Sequence, residues 1–225
     1  MSEDVKILAV DTALGACSAA LLDGSRVLAR CCAVMERGHA EALAPMVRAV
    51  MSDAKMDFAA LDRLAVTVGP GTFTGQRVGL AFMRGLRAAL HKPLLGVTSL
   101  SAMAEQARSE TGGSCAAAIH DARRGEVYVE VVGNSTSLSA RVMAFADAGA
   151  MLRDLGGPIV LAGTAAPRMS DVLKAWGVEA RLSPITAPDA VWVAHLAARM
   201  VPQEGPPPRP LYLRAPDAKL PVPTP

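Results

Sequence analysis

A chain of 225 residues with a net charge of +2 makes one large domain or two small ones, and so slight a charge does not by itself argue for a nucleic-acid partner. Hydrophobic residues make up 51% and charged residues 20%, which excludes a disordered chain. No apolar run approaches membrane-spanning length, and Ser2-Glu3-Asp4 lead directly into a strand pattern where an export signal would place basic residues before an apolar run.

A cytoplasmic protein with no membrane contact is therefore expected. Cys17, Cys31, Cys32 and Cys115 lack the paired spacing of a zinc site, so free buried thiols are expected.

Residues 5 to 10, VKILAV, read as a buried strand with Asp11 at its carboxyl end. Cys17 to Asp23 form a second strand, and Gly24 marks a hairpin turn into a third, RVLARCCAV. Residues 39 to 54 carry Leu43, Met46, Val47 and Val50 at helical spacing, with Pro45 expected to kink or restart that helix. Leu61 to Val68 read as a strand that enters a glycine-rich turn, after which residues 76 to 90 form a helix ending before Pro93. PLLGVTS is a short strand and residues 99 to 109 a helix.

A second unit follows the TGGS break at residues 111 to 114. CAAAIHDA and EVYVEVVG read as paired strands around Arg123-Arg124-Gly125. Pro158 to Gly163 form another strand, followed by helices at 168 to 176 and 189 to 201. Pro206-Pro207-Pro208 end regular structure, and the proline-rich tail is expected to be extended. The boundary is set between an N-terminal lobe, 1 to 108, and a smaller C-terminal lobe, 109 to 225, with helix 189–201 able to pack back on the first.

Two places invite a functional reading. Asp11-Thr12-Ala13 put a carboxylate at a strand end before a hairpin, where a magnesium-bound nucleotide can sit; the same residues can instead cap their own turn. The turn VTVGPGTFTGQRVGLA is neither a Walker loop, since the lysine is missing, nor a dinucleotide fingerprint. Its helix opens with free amides beside Gly71, Thr72, Thr74 and Arg77, which can hold an anion. Equally, Gly75 and Gly79 stand four apart, so a neighbouring backbone can approach that face. The spacing does not choose between the two.

The ordered motifs ILAVDTALGACSAAL, RGHAEALAPMV, GPGTFTGQRVGLA, LLGVTSLSAMA and HDARRGEVYVE together resemble the TsaB (YeaZ) family, closely over residues 5 to 132 and more loosely at PLYLRAPDAK. The family turn usually reads GPGSFTGLR; here Thr72 keeps the hydroxyl and Gln76 exchanges an apolar contact for a polar one. The resemblance implies an α/β, two-lobed actin-like ATPase (ASKHA) fold, each lobe a mixed sheet with an antiparallel start flanked by helices. It also implies the dimerisation subunit of the machinery that makes threonylcarbamoyladenosine at position 37 of tRNA. The implied partners are the catalytic subunit TsaD, the ATPase TsaE and, when alone, a second copy of the chain, with tRNA met only through the complex.

TsaD carries His-x-x-x-His after its glycine turn, where this chain reads Ser99-Leu100-Ser101-Ala102-Met103, so no catalytic residue and no metal are expected. VLAGTAAP has one glycine where ATPases of this fold present two, so a nucleotide is expected only at a partner interface. Asp189 reads as a helix cap. The expected interface comprises His39, Leu43, Met46, Val47, Gly75, Gly79, Phe82, Met83 and Leu86, with Gly85 adding a further small residue. The rival reading is an autonomous ATPase or sugar-kinase-like enzyme using Asp11 and the Gly69–Gly75 turn; a glycoprotease would lack both a metal pair and a nucleophile with its base.

Overall fold

The computed structural model describes residues 5–214. Two five-stranded sheets share one plan. In the first lobe, β1 (Lys6–Asp11), β2 (Ala16–Asp23) and β3 (Arg26–Val34) run antiparallel, then β4 (Arg63–Gly69) and β5 (Leu94–Thr98) add in parallel, giving the order β3-β2-β1-β4-β5. The second lobe repeats it with β6 (Cys115–Asp121), β7 (Glu126–Gly133), β8 (Leu138–Ala144), β9 (Ile159–Ala162) and β10 (Ala180–Leu182), ordered β10-β9-β6-β7-β8. Sequence similarity between the halves is not visible, yet the topology is the same.

Burial explains the strand sequences. β1 is central and covered on both faces, so it reads as a continuous apolar run, whereas edge strand β3 alternates between half-buried and exposed. Leu8 and Val10 face a core shared with α1 (His39–Asp53) and α2 (Phe73–Leu90). Ile7 and Ala9 face the opposite core, filled by Ala190, Val193, Ala194 and Ala197 of α6 (Ala190–Ala198). Thus the last helix of the chain packs on the first sheet. The converse holds for α3 (Ser99–Thr111): Leu100, Met103, Ala104 and Ala107 pack against Ala116, Ala118, Val160 and Ala162 of the second sheet. Each lobe receives a helix that the order of the sequence would assign to the other. Buried Glu105 fastens them, accepting from Arg108 at 2.8 Å and Arg199 at 2.7 Å, and the Arg108 hydrogen bond leads in holding its carboxyl below the usual range.

α1 continues through Pro45 as one helix, without the restart that was one of the two expectations there. Pro45 is exposed, so its ring meets solvent. β8, α4 (Phe145–Leu155) and β10 were not anticipated; α5 (Ala166–Ala175) begins two residues before the expected start. Thr72 and Thr98 cap α2 and α3 by accepting the amides of Gly75 and Ser101, and His91 ends α2 in the left-handed region at φ 56°. The expected extension of the tail beyond Arg214 lies outside the described residues.

Candidate functional site

The two turns singled out in the sequence meet at the top of the first lobe. Asp11 is fully buried: Oδ1 accepts from Thr67 Oγ1 at 2.6 Å and from the Ala13 amide at 3.1 Å, while Oδ2 is buried without a partner. Burial pushes its carboxyl up to about 7, with the Asp189 charge adding to the rise. Asp189 itself caps α6 by accepting the Val191 amide and pairs with Arg30, the capping role expected of it.

Thr12 is 1% exposed, and its hydroxyl is engaged on both sides by α2. Oγ1 donates to the Gly75 carbonyl at 2.7 Å and accepts from the Gly79 amide at 3.0 Å, entering one step of the helical ladder. This explains the glycines. A Cβ on Gly71 would stand 2.3 Å from the Ala13 carbonyl oxygen, on Gly75 2.2 Å from the Thr12 carbonyl oxygen, and on Gly79 2.7 Å from Thr12 Oγ1. The Thr72 amide donates to the Ala13 carbonyl at 2.9 Å, and His39 Nε2 lies 3.1 Å from the Leu14 carbonyl. Gln76 is buried and donates from Nε2 to the Gly71 carbonyl at 2.9 Å, so the polar replacement braces the turn it belongs to.

A nucleotide, which this fold implies, does not fit at the Asp11 turn, whose carboxylate Oδ1 and Thr12 hydroxyl are already engaged within the lobe. Thr12 and Ala13 are packed against Gly71, Gly75 and Gly79 of the second turn and α2, and Asp11 Oδ1 is occupied by Thr67 and its own turn. In the second lobe, Gly163 stands at φ 102°, and a Cβ there would meet the Ile119 carbonyl oxygen at 2.2 Å, so only glycine fits.

The interface expectations divide on burial. Leu43, Val47 and Met83 are core residues of the first lobe, and Gly75 and Gly79 seat Thr12, so these five are corrected: they hold the lobe together, and of them only Gly75 borders a cavity. The spacing of the glycines gave their common face but not its direction, which the packing of the β1–β2 turn decides. Met46, Phe82 and Leu86 are half-buried, and with Ala42 and Val78 they form an apolar strip along α1 and α2. Gly85, beside the strip, has nothing within 4 Å of its Cβ direction. His39 is buried at the start of α1.

Thr72, Thr74 and Arg77 remain solvent-facing, and the two threonines line a cavity of about 410 Å³ with Arg37 and His39. Arg77 Nε donates to Tyr212 Oη at 3.0 Å. Sequence reasoning missed this link and the tail that makes it: Leu211 donates to the Val68 carbonyl at 2.7 Å, Arg84 to the Pro208 carbonyl, and Arg214 reaches the Ala122 carbonyl at 2.8 Å in the second lobe. Only the prolines hinted that this segment is extended.

Among the described residues no three of His, Cys, Asp and Glu converge as metal ligands, and no helix is long and apolar enough to cross a membrane. The four cysteines are free, and Cys32 is exposed where a buried thiol was expected.

Comparisons agree with this architecture. Residues 33–162 match the family model described as TsaD: tRNA N6-adenosine threonylcarbamoyltransferase. The chain is 30% identical to the tRNA threonylcarbamoyladenosine biosynthesis protein TsaB of Bacillus subtilis over 162 residues, 70% of each chain. It is 37% identical to the TsaB of Escherichia coli over 124 residues, 55% of this chain and 53% of that protein. A crystal structure of a Pseudomonas aeruginosa protein with similarity to peptidase YeaZ superposes with a TM-score of 0.76 at 32% identity, covering 93% of this chain and all of that one (100%). At 15% identity, the ROK hexokinase of Thermus thermophilus superposes with a TM-score of 0.52 over 87% of this chain, which shows the fold alone to be that of the actin-like ATPases.

Proposed function

Because this chain belongs to the TsaB (YeaZ) family of tRNA threonylcarbamoyladenosine biosynthesis proteins, we propose that it is the non-catalytic dimerisation subunit of that machinery. It pairs through α1 and α2 with the catalytic TsaD subunit, or with a second copy when alone, and so supports threonylcarbamoyl transfer to N6 of adenosine 37 in tRNA. TsaE joins as the ATPase, and the tRNA is engaged within the assembly. A nucleotide shared with the partner meets this chain at Thr72, Thr74 and Arg77, the members of the turn that face solvent.

The observation that carries this reading is the half-buried strip of Val78, Phe82 and Leu86, four residues apart, beside the open Gly85. A strip at that spacing on one helix is the form of a helix-packing face, and a glycine there admits a second backbone closely. The rival reading, an autonomous ATPase or kinase, requires a ligand at Asp11, and that position is sealed by Gly71, Gly75 and Gly79.

Sedimentation velocity on the wild type, Phe82→Asp and Gly85→Leu, alone and mixed with TsaD, tests the proposal. The wild type associates; Gly85→Leu, whose side chain enters open space, remains folded and sediments as a monomer, and Phe82→Asp does the same where circular dichroism shows it folded. Association that survives both substitutions contradicts it.

A further inference from the structure

Two cavities, of about 430 and 470 Å³, flank the tip of the β6–β7 hairpin, and Asp121 and Arg123 line both. The first is walled by Arg124, Phe145 and Arg168, the second, between the lobes, by Phe73, Tyr128 and Arg214. The two cavities adjoin at Asp121 and Arg123, and both are lined by cations and rings. Arg168 lies 3.9 Å over the Phe145 ring and Arg77 lies 3.5 Å over Phe73. At the mouth of the cleft Phe73, 60% exposed, stacks on Tyr212, 49% exposed, at 6.0 Å between centroids and 24° between planes.

The charge is one-sided. Arg123, Arg124, Arg168 and Arg214 line the cavities with Asp121 and Glu126, four cations against two carboxylates, and Arg77 bonds to Tyr212 beside them. Both acids are engaged: Asp121 accepts the Arg123 amide at 2.8 Å, and Glu126 pairs with Arg214. The tip also holds Arg123 at φ 62° and Arg124 at φ 55°, a conformation that glycine or asparagine adopts at lower cost. The backbone conformation of the turn does not itself call for arginine at either position.

Guanidinium groups spaced for phosphates and exposed rings for planar groups match a single-stranded nucleic acid, whose unstacked bases rest on aromatic side chains while its backbone follows the cations. An acidic peptide would leave Phe73 and Tyr212 unused, and a duplex keeps its bases stacked away from them. We propose that this groove holds a single-stranded segment of RNA, with phosphates at Arg123, Arg124 and Arg168 and an unstacked base extending the Phe73–Tyr212 stack. The inference rests on the tRNA reading above and makes this subunit a direct holder of the substrate.

Reconstituted complexes carrying Arg123→Gln/Arg124→Gln/Arg168→Gln, Tyr212→Ala, or lysine at the three arginine positions provide the test, with tRNA modification measured against tRNA concentration. The glutamine and Tyr212→Ala variants raise KM for tRNA about ten-fold with little change in kcat, and the lysine variant recovers most of the loss. Binding of a short RNA stem-loop to the isolated chain weakens in parallel, and its salt slope falls by about 0.7 for each phosphate contact removed. An active wild-type complex whose variants keep KM and stem-loop binding overturns the inference. A rise in KM with the glutamine variant but none with Tyr212→Ala overturns the single-stranded assignment in favour of a duplex. A wild-type complex without activity counts against the proposed function instead, and stem-loop binding by the isolated chain then decides the groove: weaker binding in the variants supports it, equal binding overturns it.

Discussion

The turn between β1 and β2 and the turn between β6 and β7 occupy equivalent positions in two lobes of the same topology, and they have opposite fates. Thr12 and Ala13 are buried beneath α2, with three glycines removing every side chain that would intrude. Arg123, Arg124 and Gly125 stand in solvent, and no atom lies within 4 Å of the Gly125 Cβ direction. The strands that follow end alike: Gly69 at φ 104° and Gly163 at φ 102° both turn the chain in the left-handed region. What differs is the helix after the turn. α2 carries Gly75 and Gly79 towards Thr12, whereas α5 offers Ala165, Ala166 and exposed Arg168 and leaves its hairpin uncovered. One fold therefore yields a closed structural joint in one lobe and an open, basic groove in the other.

Substitutions that fill the closed turn have the largest effect. Gly79→Leu places atoms where Thr12 Oγ1 already sits, and overpacking together with loss of the buried hydroxyl bridge costs about 3 kcal/mol or more. Urea denaturation should find the first lobe severely destabilised. At open Gly125, φ 77°, alanine meets only backbone strain, about 1 kcal/mol. Equal costs at the two positions would erase the contrast.

The next effect depends on pH. Asp11 is held near 7 by burial, against 3.8 for the free side chain, so between these values the folded state keeps a proton that the unfolded chain has released. Its contribution to stability is thus complete below about pH 4 and is lost as pH rises towards 7, by roughly 4 kcal/mol for a three-unit shift. Asp11→Asn cannot titrate and should flatten the stability profile across that window; an unchanged slope would place the proton elsewhere.

Smaller again is Thr12→Val, which keeps the shape but leaves the Gly75 carbonyl and Gly79 amide without their hydroxyl, at about 1–3 kcal/mol. Thr164→Val in the second lobe removes only the acceptor of the Asp121 amide at an exposed site, and its thermal midpoint should move little, about 0.5 kcal/mol or less.

How far the sequence discloses all this follows from burial. Strands covered on both faces, such as β1 with its ILAV run and β9 with IVLA, show an unbroken apolar stretch and are legible without structure. β8 is an edge strand of half-buried and exposed residues, and α4 has Ala144 at its N-cap, with no capping side chain, so neither carries a local signal. The exchange of α3 and α6 between lobes depends on which sheet face is vacant, which is a tertiary matter. At the candidate site, Asp11 and the glycine turn stood out by residue type, but a spacing of four says only that Gly75 and Gly79 share a face. That the face turns inward to Thr12, leaving Phe82, Leu86 and Gly85 outward, is settled by packing.

A double-mutant cycle between positions 12 and 79, followed by chemical denaturation, tests the closed joint most directly. Gly79→Ala in the wild type forces a Cβ to 2.7 Å from Thr12 Oγ1 and should destabilise, although alanine is favoured over glycine in a helix by about 1 kcal/mol. In a Thr12→Ala background the obstructing hydroxyl is gone, so the same substitution should cost almost nothing or stabilise, a coupling of about 1–2 kcal/mol. Additive costs in the two backgrounds would contradict the account, because the glycine would then not be there for Thr12.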